Sequence, residues 1–569
     1  MNLPPKKGIA VLIQKSSFLS SSLLSLRKCY SMKRSINQSI VLNGTESKIR
    51  NLLVDFCGQY NQTAQQPLEL RITGGWVRDK LLGNESNDLD IAINVLSGED
   101  FASQLLSYAH SQGVDLGKNA SSLHTIKKNP EKSKHLETCT TKLYGLDIDF
   151  VNLRSEQYTE DSRVPIIECG TAEEDALRRD ATLNALFYNL NKGEIEDLTG
   201  KGLEDLQNGI LRTPLQPLQT FLDDPLRVLR LVRFASRFNF LIDSDTLQAM
   251  KDERIRSTLV HKISRERVGV EVDKILTSDN VQYGLRLINY VGLTESIFNS
   301  GVISETVDAI NDKSILEELE VRKQSSIYRI DASTQAYQAF RQYIASSSNV
   351  QFKRMVEDVF VSKPLQKLFW LCTALQPYGN IRVKINPKKL SLLSYVELVL
   401  KEGLRFGKHD YDSAASIVDK LDSSDVLHRL FQDGQVSRSD LGLYIRQFGS
   451  FFPINVVVNA FNDFLSATDI PIHIEDVPSP QNVEFACNTE IMENLTSEYE
   501  RLLATISDYQ LENVNSMKPL IDGKFIAKAI GRKPGPWMSS VTGEVLRWQL
   551  DHPKGTQDEC IAHIREILD

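Results

Sequence analysis

The chain has 569 residues, of which 41% are hydrophobic, 8% aromatic and 25% charged, which excludes fibrous, disordered and disulfide-built proteins and suggests about three or four structural units. The 66 Lys and Arg against 74 Asp and Glu leave a net charge of -8, so any affinity for nucleic acid has to come from local basic patches rather than from bulk charge. Seven scattered cysteines without a C-x-x-C pair argue against zinc fingers and fit a reducing compartment, and no run of about eighteen apolar residues predicts a membrane span.

Residues 1–45 carry Lys6, Lys7, Lys15, Arg27, Lys28, Lys33 and Arg34 among nine serines, with no acid before Glu46. This is the composition of a transit segment, with Ser16 to Leu26 as its amphipathic part. A plain basic arm is the alternative. Met32 offers a second start, so the expected locations are the mitochondrial matrix for the longer product and cytoplasm and nucleus for the shorter.

Arg71 to Gly83 reads as a short strand, a Gly74-Gly75 turn and a helix that closes at Gly83. Paired glycines let backbone approach a ligand closely, and a helix start just behind them suits a phosphate; an ordinary strand-to-helix turn has the same pattern. In Asn87 to Val95, Leu89, Ile91, Ile93 and Val95 alternate as one apolar face, which puts Asp88 and Asp90 on the other. Two carboxylates about 7 Å apart along a strand can hold divalent cations that keep sites for substrate phosphates. Asp149, within Leu146 to Asn152, either completes such a metal site or is satisfied by a neighbouring backbone group or arginine. The polar stretch Lys127 to His135 interrupts this region as a flexible surface insertion or a mobile loop.

Arg178 to Phe187 reads as an amphipathic helix with Ala181, Leu183 and Ala185 to Phe187 partly buried. Asp197 to Gly202 reads as a turn. Asp223 to Phe234 reads as a helix with Asp224 at the N-cap and Pro225 at the first helical position, so that Asp224 and Arg227 share a face one turn apart. Capping and a surface arginine stripe (Arg227, Arg230, Arg233, Arg237) would also explain these residues. Ser264 to Leu276 starts a further helix with an Arg267/Glu271 pair at i,i+4. Residues 280–500 are dominated by helical periodicity, as in Ile315 to Glu320 and Leu365 to Leu371. Asp522 to Trp537 predicts a capped helix, a glycine stop and a proline turn, with Lys524 and Lys528 on one face and Arg532 and Lys533 just beyond: a phosphate-binding ridge or a solvated charged face.

Taken together, Gly74-Gly75-x-x-Arg78-Asp79-x-Leu81-Leu82-Gly83 followed by Asp88-x-Asp90 resembles the nucleotide-binding motif of polymerase-β-type nucleotidyltransferases. The ordered stretches Arg178-Arg179-Asp180-Ala181-Thr182-Leu183-Asn184, Glu196 to Gly200, Asp223 to Arg227 and Ser264 to Leu276 resemble, more closely, the class II tRNA nucleotidyltransferases or CCA-adding enzymes, the fungal ones above all. The resemblance implies an α+β chain: a mixed-sheet catalytic head (46–200), a nucleotide-selecting helical neck (201–280), a helical body (281–500) and a tRNA-binding tail (501–569).

It implies that Asp88 and Asp90 hold two Mg²⁺, that Gly74, Gly75, Arg78, Arg179, Asp180, Asn184, Asp224, Arg227 and Arg230 serve CTP and ATP, and that the 3′ end and the acceptor and T arms of tRNA are the partner. Arg179 would contact the triphosphate and Asp180 the ribose 2′-hydroxyl. Asp224 only accepts hydrogen bonds and Arg227 only donates them, which matches the amino group and ring nitrogen of cytosine and adenine and opposes uracil and guanine. No membrane and no obligatory protein partner is expected. A poly(A) polymerase of the same superfamily and a silent tRNA-binding protein are the competing readings.

Overall fold

The computed structural model describes residues 33–117, 124–126, 138–159, 162–298, 313–346, 350–384, 392–421, 425–481, 489–533 and 535–568. The transit-like segment up to Met32 and the Lys127 to His135 stretch lie outside the described residues. Contacts divide the chain into two compact units, one running to Gln157 and over Ile166–Pro214, the other comprising Tyr158–Pro165 and the chain from Leu215 onward.

The first unit begins with α1 (Gly44–Tyr60), which opens on a reciprocal cap: Glu46 N donates to Asn43 Oδ1 at 2.9 Å and Asn43 N to Glu46 Oε2 at 2.8 Å. Next come β1 (Leu70–Thr73), α2 (Gly75–Leu81), β2 (Leu89–Ile93), α3 (Gly98–Ser111), β3 (His124–Ile126), β4 (Thr138–Leu143) and β5 (Leu146–Asn152). Then follow β6 (Arg154–Thr159) and β7 (Ser162–Cys169), of which Tyr158–Pro165 belong to the second unit, and, back in the first, α4 (Ala172–Leu177), β8 (Leu186–Asn189), β9 (Glu194–Asp197) and α5 (Gly202–Asn208). Seven strands form one mixed sheet in the order β3-β4-β5-β2-β1-β8-β9, with β2 and β5 parallel and the other pairs antiparallel.

Strand alternation explains the two faces of this sheet. Leu70, Ile72, Ile91, Ile93, Ile148 and Phe150 are buried on one face. Phe101 of α3 packs on Phe150 with ring centroids 4.8 Å apart, and Phe56 of α1 meets Phe101 edge-on at 5.4 Å. Each such side chain contributes about 1.5–3 kcal/mol by leaving water, so this face holds the sheet rigid and frees the other for chemistry.

The stretch expected as one amphipathic helix over Arg178 to Phe187 is instead the end of α4, a single 3₁₀ turn at Thr182–Asn184 and the start of strand β8, which lies between β1 and β9. The helix starts earlier, at a Thr171/Glu174 capping box, and ends at Leu177. Ala181, Leu183, Ala185, Leu186 and Phe187 are all fully buried, which no single helix face permits, and Phe187, Tyr188 and Asn189 pair with β1.

In the second unit, the two helices that matter for the site are α6 (Leu226–Phe238) and α7 (Arg265–Leu276). The body is helical as expected, with Ile315 to Glu320 inside α8 (Lys313–Ser346) and Leu365 to Leu371 inside α9 (Lys363–Leu375). Phe369 sits at its centre, edge-on to Phe360 at 4.8 Å and 5.2 Å from Phe461. One helical run, Arg438–Ala467, is long and apolar enough on average to cross a membrane, although Asp440, Arg446 and Asp463 interrupt it. It holds α10 (Arg438–Phe448) and α11 (Phe452–Ala467), joined through Gly449, and 61% of its apolar window is buried inside the protein, so it serves as core. The last segment of interest is α12 (Gly523–Ile530), capped by Asp522, whose carboxylate takes the Phe525 N–H at 2.7 Å, and stopped by left-handed Gly531. None of the five cysteines among the described residues is in a disulfide.

Candidate active site

The catalytic row is a consequence of register. Phe187 on β8 pairs with Thr73 on β1, Thr73 with Asp90 on β2, Asp90 with Asp149 on β5, and Asp149 with Thr140 on β4. Directly paired residues share a face, so five strands line up these side chains on the face opposite the apolar core. Asp88 stands exposed just before β2 begins. Burial, then the charges of Asp88 and Asp149, push the Asp90 carboxyl up to about 6, with Arg179 opposing the shift.

Carboxylate crowding of this kind is what a divalent cation relieves, and the donors are the hard oxygens that Mg²⁺ takes. Among the described residues, no group of three or more His, Cys, Asp and Glu could hold a metal on its own. Asp149 accepts from Thr140, whose Oγ1 donates to its Oδ1 at 2.6 Å, a side-chain hydroxyl rather than the backbone group or arginine expected from sequence.

Gly74 shows why the turn needs glycine. Its φ is +77°, and a Cβ there would lie 3.3 Å from Nη1 of Arg179. The close approach is therefore made by a side chain that reaches over the turn. Arg179 lies with its guanidinium 5.4 Å from the Phe187 ring centroid, and Asp175 Oδ2 accepts from its Nη2 at 2.7 Å and its Nε at 3.2 Å. Asp175 also takes Arg178 through Oδ1 at 2.5 Å. Sequence reasoning missed Asp175, although its spacing of three and four residues from the two arginines is the helical contact spacing.

Three further candidates form one chain of hydrogen bonds beneath the turn. Arg78 donates to Asp79 Oδ1 at 2.8 Å and to Asn184 Oδ1 at 2.5 Å, and Asn184 Nδ2 donates to Asp180 Oδ1 at 3.0 Å. The asparagine amide is thereby fixed at both ends in a single orientation. A Cβ on Gly75 would meet Arg78 at 3.3 Å. Arg78, Asp180 and Asn184 are all buried.

Ahead of α6, Asp224 Oδ1 accepts the Leu226 N–H at 3.1 Å, as a capping residue does, but Pro225 rather than Asp224 stands at the N-cap and the regular helix begins only at Leu226, two residues on. Arg227, 9% exposed, donates from Nη2 to the Tyr158 hydroxyl at 3.0 Å. The expected Arg267/Glu271 pair is replaced by three contacts from α7: Arg267 reaches Asp224, just ahead of α6, at 3.5 Å, while Glu271 takes Arg233 of α6 at 2.6 Å and lies 3.9 Å from Arg230. Glu271 is buried facing α6, which turns it away from its own helix neighbour. In the tail, Lys524, Lys528, Arg532 and Lys533 are all exposed, with Arg532 5.6 Å from the Trp537 ring centroid.

A family profile for the poly A polymerase head domain matches residues 70–212, and one for a probable RNA and SrmB-binding site of polymerase A matches residues 239–301. The mixed sheet, the Gly-Gly turn and the acidic row thus define a nucleotidyltransferase with a head of the poly(A) polymerase type. Over 97% of its length the chain is 42% identical to the mitochondrial CCA tRNA nucleotidyltransferase of Saccharomyces cerevisiae, covering 99% of that protein. It is 41% identical to the mitochondrial CCA tRNA nucleotidyltransferase of Candida glabrata, over 93% of this chain and 96% of that one. The fold is also that of the Thermotoga maritima CCA-adding enzyme solved with tRNA, at a TM-score of 0.51, 17% identity and coverage of 93% and 97%. The chain belongs to the CCA tRNA nucleotidyltransferases.

Proposed function

We propose that the chain adds C, C and A to the 3′ end of tRNA from CTP and ATP without a nucleic-acid template, releasing pyrophosphate at each step. The observation that carries this reading is the pairing on one helix turn of an acceptor, Asp224, with a donor, Arg227. The pair matches the amino group and ring nitrogen of cytosine and adenine and sets like against like for uracil and guanine. Leaving buried polar groups unpaired rejects a wrong partner by as much as about 10⁴-fold.

Asp88 and Asp90 are the groups that would hold Mg²⁺, two ions in our reading, with Asp149 beside them. A metal held there would lower the pKa of the RNA 3′-hydroxyl and neutralise charge on the phosphates. Arg179, clamped by Asp175 and laid over Phe187, points a fixed positive charge at the triphosphate. Arg78 works at one remove, orienting Asn184 so that it holds Asp180 for the ribose 2′-hydroxyl. Positioning and charge carry most of the barrier in phosphoryl transfer, and these residues supply both. Arg230, held by Glu271, is assigned to the nucleotide more loosely. Lys524, Lys528, Arg532 and Lys533 are assigned to tRNA phosphates. The mitochondrial names of the relatives support a mitochondrial location, and we extend it to cytoplasm and nucleus through a start at Met32.

The test supplies purified protein and Mg²⁺ with a tRNA transcript lacking its 3′ CCA, and each nucleotide alone and combined, read at single-nucleotide resolution. Two additions with CTP and one more on adding ATP establish the activity. An open-ended A ladder without CTP points to a poly(A) polymerase, and binding with no extension to a silent tRNA-binding protein.

A further inference from the structure

We propose that Tyr158 is a positioning residue for the Arg227 guanidinium and thereby a determinant of nucleotide choice; this rests on the base-reading assignment of Arg227 made above. The four arginines along α6 are held in different ways. Arg233 and Arg230 approach the carboxylate of Glu271 and the ring of Phe234, and Arg237 lies over Phe238 of its own helix. Arg227 takes a partner from 69 residues earlier in the chain, the Tyr158 hydroxyl on β6. Its guanidinium carbon is also 5.6 Å from that ring's centroid.

The chemistry of this partner suits the task. A guanidinium carries its N–H groups in one rigid plane, so a hydrogen bond to one nitrogen fixes the direction in which the others point. A phenol hydroxyl takes that one bond and leaves the positive charge in place, where a carboxylate would neutralise it. The ring, against which the guanidinium lies, limits its tilt. A base edge tested by Asp224 and Arg227 together is read only if both directions are fixed. Asp224 is fixed by its cap to Leu226 and by Arg267, and Tyr158 does the corresponding work for Arg227.

The experiment compares Tyr158→Phe, which keeps the ring and removes the hydroxyl, with the parent, measuring kcat/KM for CTP, ATP, UTP and GTP on tRNA acceptors of matching length. Loss of one hydrogen bond to a charged group predicts a drop of roughly tenfold or more in the ratio of correct to wrong nucleotide. Because the ratio is taken within one preparation, a smaller folded fraction cancels. A merely structural tyrosine lowers all four values alike, and an unchanged ratio overturns the proposal. A lower KM for CTP and ATP at an unchanged ratio also overturns it, since the hydroxyl would then be competing with the base. Arg227→Lys and Tyr158→Phe/Arg227→Lys complete the cycle. In the lysine background the tyrosine change should cost no further selectivity, and full additivity refutes the coupling. If Arg227→Lys itself leaves selectivity intact, the base-reading assignment fails; if it lowers selectivity and Tyr158→Phe does not, only the Tyr158 proposal fails.

Discussion

Asp175→Ala removes a carboxylate that faces two guanidinium groups, and its cost can be worked from their burial. The Asp175 side chain is 3% exposed, while those of Arg178 and Arg179 are 17% and 18% exposed. Deleting one partner of a buried ion pair costs about 3–5 kcal/mol, and because both arginines keep an edge in water the lower end, about 3 kcal/mol, applies. For a unit of this size each kcal/mol moves the melting temperature by about 2–4 °C, which gives a fall of roughly 6–12 °C.

Asp175→Asn keeps the shape and loses the charge, so it should fall about half as far. The pH dependence has a definite sign. Burial alone would raise the Asp175 pKa, but Arg179 and Arg178 outweigh it and hold the carboxyl below its ordinary 3.8. A depressed folded pKa stabilises above the unfolded value, and the contribution disappears as pH falls through the folded one. The deficit of Asp175→Asn is therefore full at neutral pH and closes below about pH 4. The assay is thermal denaturation by far-UV circular dichroism at neutral and acid pH, with the KM for CTP measured alongside and expected to rise roughly tenfold as Arg179 loses its clamp. Melting of Asp175→Ala within about 2 °C of the parent, with KM unchanged, would refute the reasoning.

Gly74→Ala puts a β-carbon on a residue at φ +77° and 3.3 Å from Arg179; it should destabilise by about 1–2 kcal/mol and raise the KM for both nucleotides, as denaturation and steady-state kinetics will show. Asp90→Asn keeps the size of the side chain and removes the charge, so incorporation should fall by at least about 10³-fold while tRNA binding in a filter assay stays within a few fold; retained turnover sinks the metal assignment. Neutralising Lys524, Lys528, Arg532 and Lys533 together should weaken tRNA binding and flatten its dependence on salt by up to about three in the log–log slope, whereas an unchanged slope removes the tail from the interface.

Local signals sufficed wherever a residue's role follows from near neighbours in sequence. The Gly74-Gly75 turn, the Asp88/Asp90 spacing and the capping bond of Asp224 were legible because a turn, a strand alternation and a helix start are set within a few residues. The same local reading misassigned Arg178 to Phe187, where apolar residues on all sides mark a buried strand next to β1. It also paired Arg267 with Glu271 by spacing, although buried Glu271 turns to Arg233 on the packed helix instead.

What the sequence by itself determined is the chemistry of the parts: paired carboxylates, a turn open to close approach, and an acceptor and a donor one helical turn apart. Each depends on residue type and short spacing, which local backbone physics converts into geometry. Only the tertiary structure decided which parts meet. Sheet register put Asp149 opposite Asp90 from 59 positions away, the packing of α7 on α6 chose the partners of Glu271, and β6 brought Tyr158 to Arg227. Such contacts form because burying the apolar face of an element fixes where its polar face must lie, and spacing along the chain carries no record of that choice.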